Sequence, residues 1–89
     1  MFRIELTLRS TEEGGRQAAI ASDYRSFVRF AGFDDLFGVE VELDAATLNP
    51  GATGLGTMRL WAALPHLPDE AAFELLEGRR VIGAGRIVT

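Results

Sequence analysis

The sequence predicts an all-β fold, a small six-stranded antiparallel β-barrel, from three observations. Short segments alternate apolar and polar residues with a period of two; Gly, Pro, Asn and Asp clusters separate them; and no amphipathic helix of convincing length lies between. Many short strands at even spacing are the pattern of a sandwich or a barrel, and in a chain of 89 residues closure is favoured because it removes the unpaired edges that recruit other chains.

The first strand is the clearest. Phe2, Ile4, Leu6 and Leu8 fall on one face, with Arg3, Glu5 and Thr7 between them. Arg9 to Arg16 then supplies charge, two hydroxyls and the pair Gly14-Gly15, which is loop chemistry, and the loop continues through Gln17 to Asp23. Tyr24 to Phe30 is aromatic and β-branched and reads as a second strand. A turn at Gly32-Phe33-Asp34-Asp35 leads to a third strand, Leu36 to Leu43, with Val39, Val41 and Leu43 inward and Glu40 and Glu42 outward. Asp44 to Gly56 is expected to be a longer connection around Asn49-Pro50-Gly51, where Pro and Gly suit the central positions of a tight turn. The fourth strand is expected from Thr57 to Leu64, with Met58, Leu60, Ala62 and Leu64 on one face and Trp61 on the other. After Pro65 to Glu70 breaks the pattern, Phe73 to Thr89 is expected to form a closing hairpin around a Glu77-Gly78 turn. Gly83 and Gly85 leave one face of its returning strand nearly bare, which either bends the sheet at a corner or lets another backbone come close.

Length and composition bound the rest. A chain of this size buries about 60–65% of its unfolded surface around one core, so residues 1–89 are expected to form a single domain. A 47% apolar share excludes the disordered class. No segment approaches the ~20 apolar residues of a membrane helix, and Met1 to Glu5 alternates at once without a signal-peptide pattern, so a cytoplasmic protein without membrane partners is expected. With no cysteine there is neither a disulfide nor a thiolate metal site. Nine basic residues, all arginine, stand against thirteen acids for a net charge of -4, a balance that argues against autonomous binding of nucleic acid.

Candidate chemistry is sparse. A nucleotide-binding P-loop needs a lysine, and the chain has none; Gly51-Ala52-Thr53-Gly54-Leu55-Gly56 is glycine-rich but precedes a strand where a phosphate loop needs a helix N-terminus. No nucleotide or other cofactor is expected. His66, the single histidine, sits between prolines; a catalytic role would need a nucleophile and an orienting acid, and Ser10, Ser22 and Ser26 offer no such arrangement, so His66 reads as a surface-loop residue and no catalytic residue is assigned. Asp34-Asp35 and Asp69-Glu70 read as solvated turn acids, and no metal site is expected. Trp61, on the non-core face of its strand, is either covered by a loop or offered to a partner. Arg16, Arg79 and Arg80 form either a phosphate-facing group or ordinary surface pairs.

Two motifs in order, Glu12-Glu13-Gly14-Gly15-Arg16 followed by Tyr24-Arg25, and Phe73 through Glu77-Gly78-Arg79-Arg80-Val81-Ile82-Gly83-Ala84-Gly85, resemble the third domain of bacterial elongation factor Tu, its C-terminal β-barrel. Asn49-Pro50-Gly51 and Thr57-Met58-Arg59-Leu60 fall in similar places between them, so the resemblance runs from about Ile4 to Val88. It implies a six-stranded barrel without catalytic residues that acts by surface contact, against partner domains and the T-stem of tRNA. The family's Glu-Gly contact to that stem would fall on Glu77 and Gly78. Where the family follows Tyr-Arg with Pro-Gln-Phe, whose glutamine touches RNA, Tyr24-Arg25 runs through Ser26 to Phe27 without that glutamine, and Phe37 stands where a threonine precedes glycine. The chain is expected to stand without the family's GTPase and second-barrel domains. The expectation is a non-enzymatic binding module that meets another protein, or a copy of itself, through Gly15, Arg16, Trp61, Glu77, Gly78, Arg79 and Arg80. The alternative is an accessory domain that contacts tRNA.

Overall fold

Six strands close on themselves in the order β1 (Phe2–Leu8), β6 (Thr53–Leu60), β4 (Phe37–Leu43), β3 (Tyr24–Phe30), β7 (Ala72–Glu77) and β8 (Arg80–Val88), every neighbouring pair antiparallel. This is a computed structural model, and it describes residues 1–61 and 67–88. Alternation builds the wall. Ile4, Leu6 and Leu8 from β1, Val28 and Phe30 from β3, Val39 and Val41 from β4, Met58 from β6 and Phe73 and Leu75 from β7 point inward and are buried. Outside, cross-strand ion pairs lie over the wall: Arg29 to Glu74 at 2.6 Å and Arg86 to Glu5 at 3.3 Å.

Two further strands of two residues, β2 (Ile20–Ala21) and β5 (Thr47–Leu48), pair with each other and form a lid. Ile20 and Leu48 are buried in the main core, so the lid plugs the barrel end where β1 finishes and β3 begins. The region 44–56 is therefore not one connection: it holds β5, the turn at Asn49-Pro50-Gly51 and the first residues of β6, which starts at Thr53. β6 accommodates Gly54 and Gly56 because other groups fill the space their side chains would take, a Leu48 methyl over Gly54 and the Glu42 carbonyl over Gly56. The remainder of the expected fourth strand, past Trp61, lies outside the described residues.

The closing hairpin forms, with its turn one residue later than the sequence suggests: Glu77 ends β7 opposite Arg80, and Gly78-Arg79 make the turn with Gly78 at φ +59°. Its register shifts by one residue between Leu75 and Leu76, so Ile82 bulges and Leu75 and Leu76 are both buried. The bare strip on β8 is explained by close approach. A Cβ on Gly85 would stand 2.5 Å from the Glu5 carbonyl oxygen and 2.6 Å from Phe73 Cζ, and one on Gly83 would stand 2.8 Å from the Thr7 carbonyl oxygen. The backbone of β1 and the Phe73 ring occupy the space that those glycines vacate.

Candidate contact surface at the barrel rim

After β1, the backbone N–H of Arg9 donates to the Ile82 carbonyl at 2.9 Å, which ties the following loop to β8. Ser10 then caps a single helical turn, Thr11–Glu13: its hydroxyl accepts from the Glu13 N–H at 3.2 Å, and the Glu13 carboxylate accepts from the Ser10 N–H at 3.2 Å. That bonding holds the Glu13 carboxyl below the usual carboxylate range, chiefly through the Ser10 hydroxyl. Gly15 is buried, and a side chain there would strike the Arg9 carbonyl. Its part is to let the loop fold back tightly, which sends Arg16 across the barrel end; the Thr11 hydroxyl fixes this course by donating to the Arg16 carbonyl at 2.8 Å.

Arg16 meets Glu77 there, guanidinium to Oε2 at 2.7 Å, although 61 positions separate them. The Tyr24 hydroxyl donates to the same oxygen at 2.5 Å, and the Arg16 guanidinium lies over the Tyr24 ring, 5.3 Å from its centroid. Burial raises the Tyr24 pKa, and the bond to Glu77 raises it further, so the hydroxyl keeps its proton and remains a donor. The other carboxylate oxygen of Glu77 is 4.0 Å from Arg80 and is held less firmly. Glu77 is thus clamped on one oxygen by two donors, and the clamp sets the direction in which the hairpin turn leaves the barrel. Gly78, Arg79 and Arg80 on that turn are exposed, and Arg79 makes no ion pair among the described residues.

The fold therefore gathers Gly15, Arg16, Glu77, Gly78, Arg79 and Arg80 at one end and leaves Trp61 apart. Trp61 is 56% exposed on the outer wall at the far end of β6; its ring lies against the bare α-carbon of Gly38 and under the Arg25 guanidinium, 5.6 Å from the ring centroid. Tyr24 was not among the residues the sequence suggested for this surface; the only signal was its place in the Tyr24-Arg25 motif, because nothing local links it to Glu77. His66 lies outside the described residues. Glu70 is engaged by Arg86 at 3.3 Å. Among the described residues the carboxylates that do converge are Asp23, Glu40 and Glu42, within 4.8 Å of one another, with Glu40 also 3.4 Å from Arg25. No helix of the described residues is long and apolar enough to cross a membrane.

A closed six-stranded antiparallel barrel with a polar rim and a capped loop folded over it is an all-β fold like that of the third domain of elongation factor Tu. The sequence agrees over its whole length: the chain is 35% identical over 91 residues to elongation factor Tu 2 of Streptomyces avermitilis, an alignment that takes in 99% of this chain and 22% of that protein. The chain thus spans about a fifth of the relative's length. No protein-family profile matches the chain.

Proposed function

We propose that this chain is a non-enzymatic binding module related to translation elongation, working in the cytoplasm by contact between the barrel rim and another protein. The observation that carries the reading is the clamp on Glu77, in which Arg16 and the Tyr24 hydroxyl share one carboxylate oxygen. A surface ion pair alone adds little, but two donors on one part-buried oxygen hold a turn in one orientation, which is what a preorganised contact surface requires. That orientation presents Arg79 and Arg80 to the outside. The likeness to a translation factor supports the setting, and the acidic net charge of -4 favours a protein over RNA as the partner.

The test is site-specific photocrosslinking in cells, with a benzophenone amino acid at position 79 and, as control, at the outer-wall position 5. A discrete adduct with one protein from position 79, lost in Arg16→Ala, supports the reading. Adducts from position 5 alone defeat it. The second reading, contact with tRNA, rests on the same two exposed arginines. It requires retention on tRNA that falls steeply with salt and is weakened by Arg79→Glu.

A further inference from the structure

The other end of the barrel carries a different surface. β7 runs six residues, ~16 Å end to end, from Ala72 to Glu77 at the rim. Beside its start lies an open pocket of about 500 Å³ floored by Phe30, Phe33, Ala72, Phe73 and Ala84. Arg29, Asp34 and Glu74 also line it. The charges at its lip do not balance: Arg29 is matched by Glu74 at 2.6 Å, whereas Asp34 and its exposed neighbour Asp35 have no ion-pair partner among the described residues. The pocket is an apolar hollow with an acidic edge. It suits an aromatic side chain that arrives with a cation beside it.

The same chain exposes such a group. Trp61 is the largest side chain on the outer surface and is more than half exposed. Arg59, two positions earlier and on the same face of the strand, is exposed and makes no ion pair among the described residues. Leu36, 45% exposed on the segment between pocket and Trp61, extends the apolar surface. The placement decides the geometry: Trp61 follows the last residue of β6, and the pocket surrounds the last residue of β3 and the first of β7, so both lie at one end of the barrel. A two-fold axis through that end lets each copy be donor and acceptor at once, the isologous arrangement that closes as a dimer and does not propagate.

We propose that this end of the barrel is a homodimer interface, in which the exposed part of Trp61 from each copy covers the other's Phe33–Ala72–Ala84 pocket and Arg59 pairs across with Asp34 and Asp35. The surface is separate from the Glu77 rim and does not depend on the function assigned to that rim.

Sedimentation equilibrium on the whole chain tests it, with Trp61→Ser, Ala84→Arg, Arg59→Glu and the pair Arg59→Glu/Asp34→Arg. All these positions are exposed, and circular dichroism checks that each variant keeps the barrel. Wild type should dimerise; Trp61→Ser and Ala84→Arg should each weaken the dimer at least tenfold. Arg59→Glu should weaken it about tenfold, and Asp34→Arg added to it should restore most of the loss, which only a contact across copies produces. Arg79→Glu should leave dimerisation unchanged. A monomer at millimolar concentration overturns the proposal, as does a dimer indifferent to Trp61→Ser. So does a strict monomer whose Phe33 and Ala84 resonances shift with the capped peptide Arg-Leu-Trp, since the pocket would then belong to a different polypeptide.

Discussion

Replacing Gly85 with alanine tests whether close approach, and not flexibility, is why β8 carries glycine. A methyl group at this position would sit 2.5 Å from the Glu5 carbonyl oxygen and 2.6 Å from Phe73 Cζ, with Phe73 Cε1 at 3.1 Å. Ordinary carbon contacts lie near 3.5–4.0 Å, so both neighbours must move by about an ångström. Neither moves freely. Glu5 is mid-strand, paired with Leu55 on one side and Arg86 on the other, and Phe73 is 3% exposed with its ring edge-on to Phe30 at a centroid distance of 6.0 Å. Overpacking a core costs about 1–3 kcal/mol, and with a backbone atom on one side the upper end applies, about 3 kcal/mol. At 4–8 °C per kcal/mol for a domain of this size, the melting temperature should fall by about 12–24 °C. Urea unfolding followed by the fluorescence of the single tryptophan, with circular dichroism as a second probe, measures it. In a Phe73→Leu background, where the ring is gone, Gly85→Ala should cost about 1 kcal/mol less, because part of the clash has been removed. A loss below about 1 kcal/mol, or strict additivity with Phe73→Leu, would mean that β8 carries glycine there for some cause other than close approach.

Further outcomes follow from the same geometry. The chain has one tyrosine, so absorbance at 295 nm reads Tyr24 directly. Its folded pKa is raised by burial and by Glu77 above the ordinary value of about 10, so its contribution to stability is complete below pH 10 and is lost as pH climbs from there through the raised folded value. Tyr24→Phe should flatten stability over that range, and an unchanged slope would remove Tyr24 as its cause. A double-mutant cycle of Tyr24→Phe with Glu77→Gln should give a coupling of about 0.5–1.5 kcal/mol by urea unfolding, and additive losses would mean that their bond contributes nothing. Gly78→Ala meets no atom within 4 Å but sits at φ +59°, so it should cost about 1 kcal/mol through backbone strain alone. Trp61→Ala should lower monomer stability by less than about 1 kcal/mol, because the ring is more than half exposed on the wall.

How much was legible from residue order varies along the chain for physical reasons. β1 and β3 run over Phe2–Leu8 and Tyr24–Phe30, as their residues predict: β1 alternates because one face lies on the core and one in water, and β3 is marked by its aromatic and β-branched residues, both local properties. β6 begins four residues earlier than its sequence suggests, at Thr53, because Gly54 and Gly56 look like loop. They are strand residues only because Leu48 and Glu42, from another part of the chain, fill the space beside them. The lid strands at Ile20–Ala21 and Thr47–Leu48 hold two residues each, too few for any period to show.

By itself, the sequence determined the barrel class, the closing hairpin turning at Gly78 and the resemblance that singled out the Arg16 and Glu77 regions, since alternation, turn chemistry and motif are local properties. Only the tertiary structure decided what those regions do to each other. It brought Arg16 and Tyr24 onto one oxygen of Glu77, turned Gly15 inward, separated Trp61 from the rim and placed it at the end that carries the acidic-edged pocket. Those relations join residues dozens of positions apart through barrel closure, and closure depends on every strand pair at once.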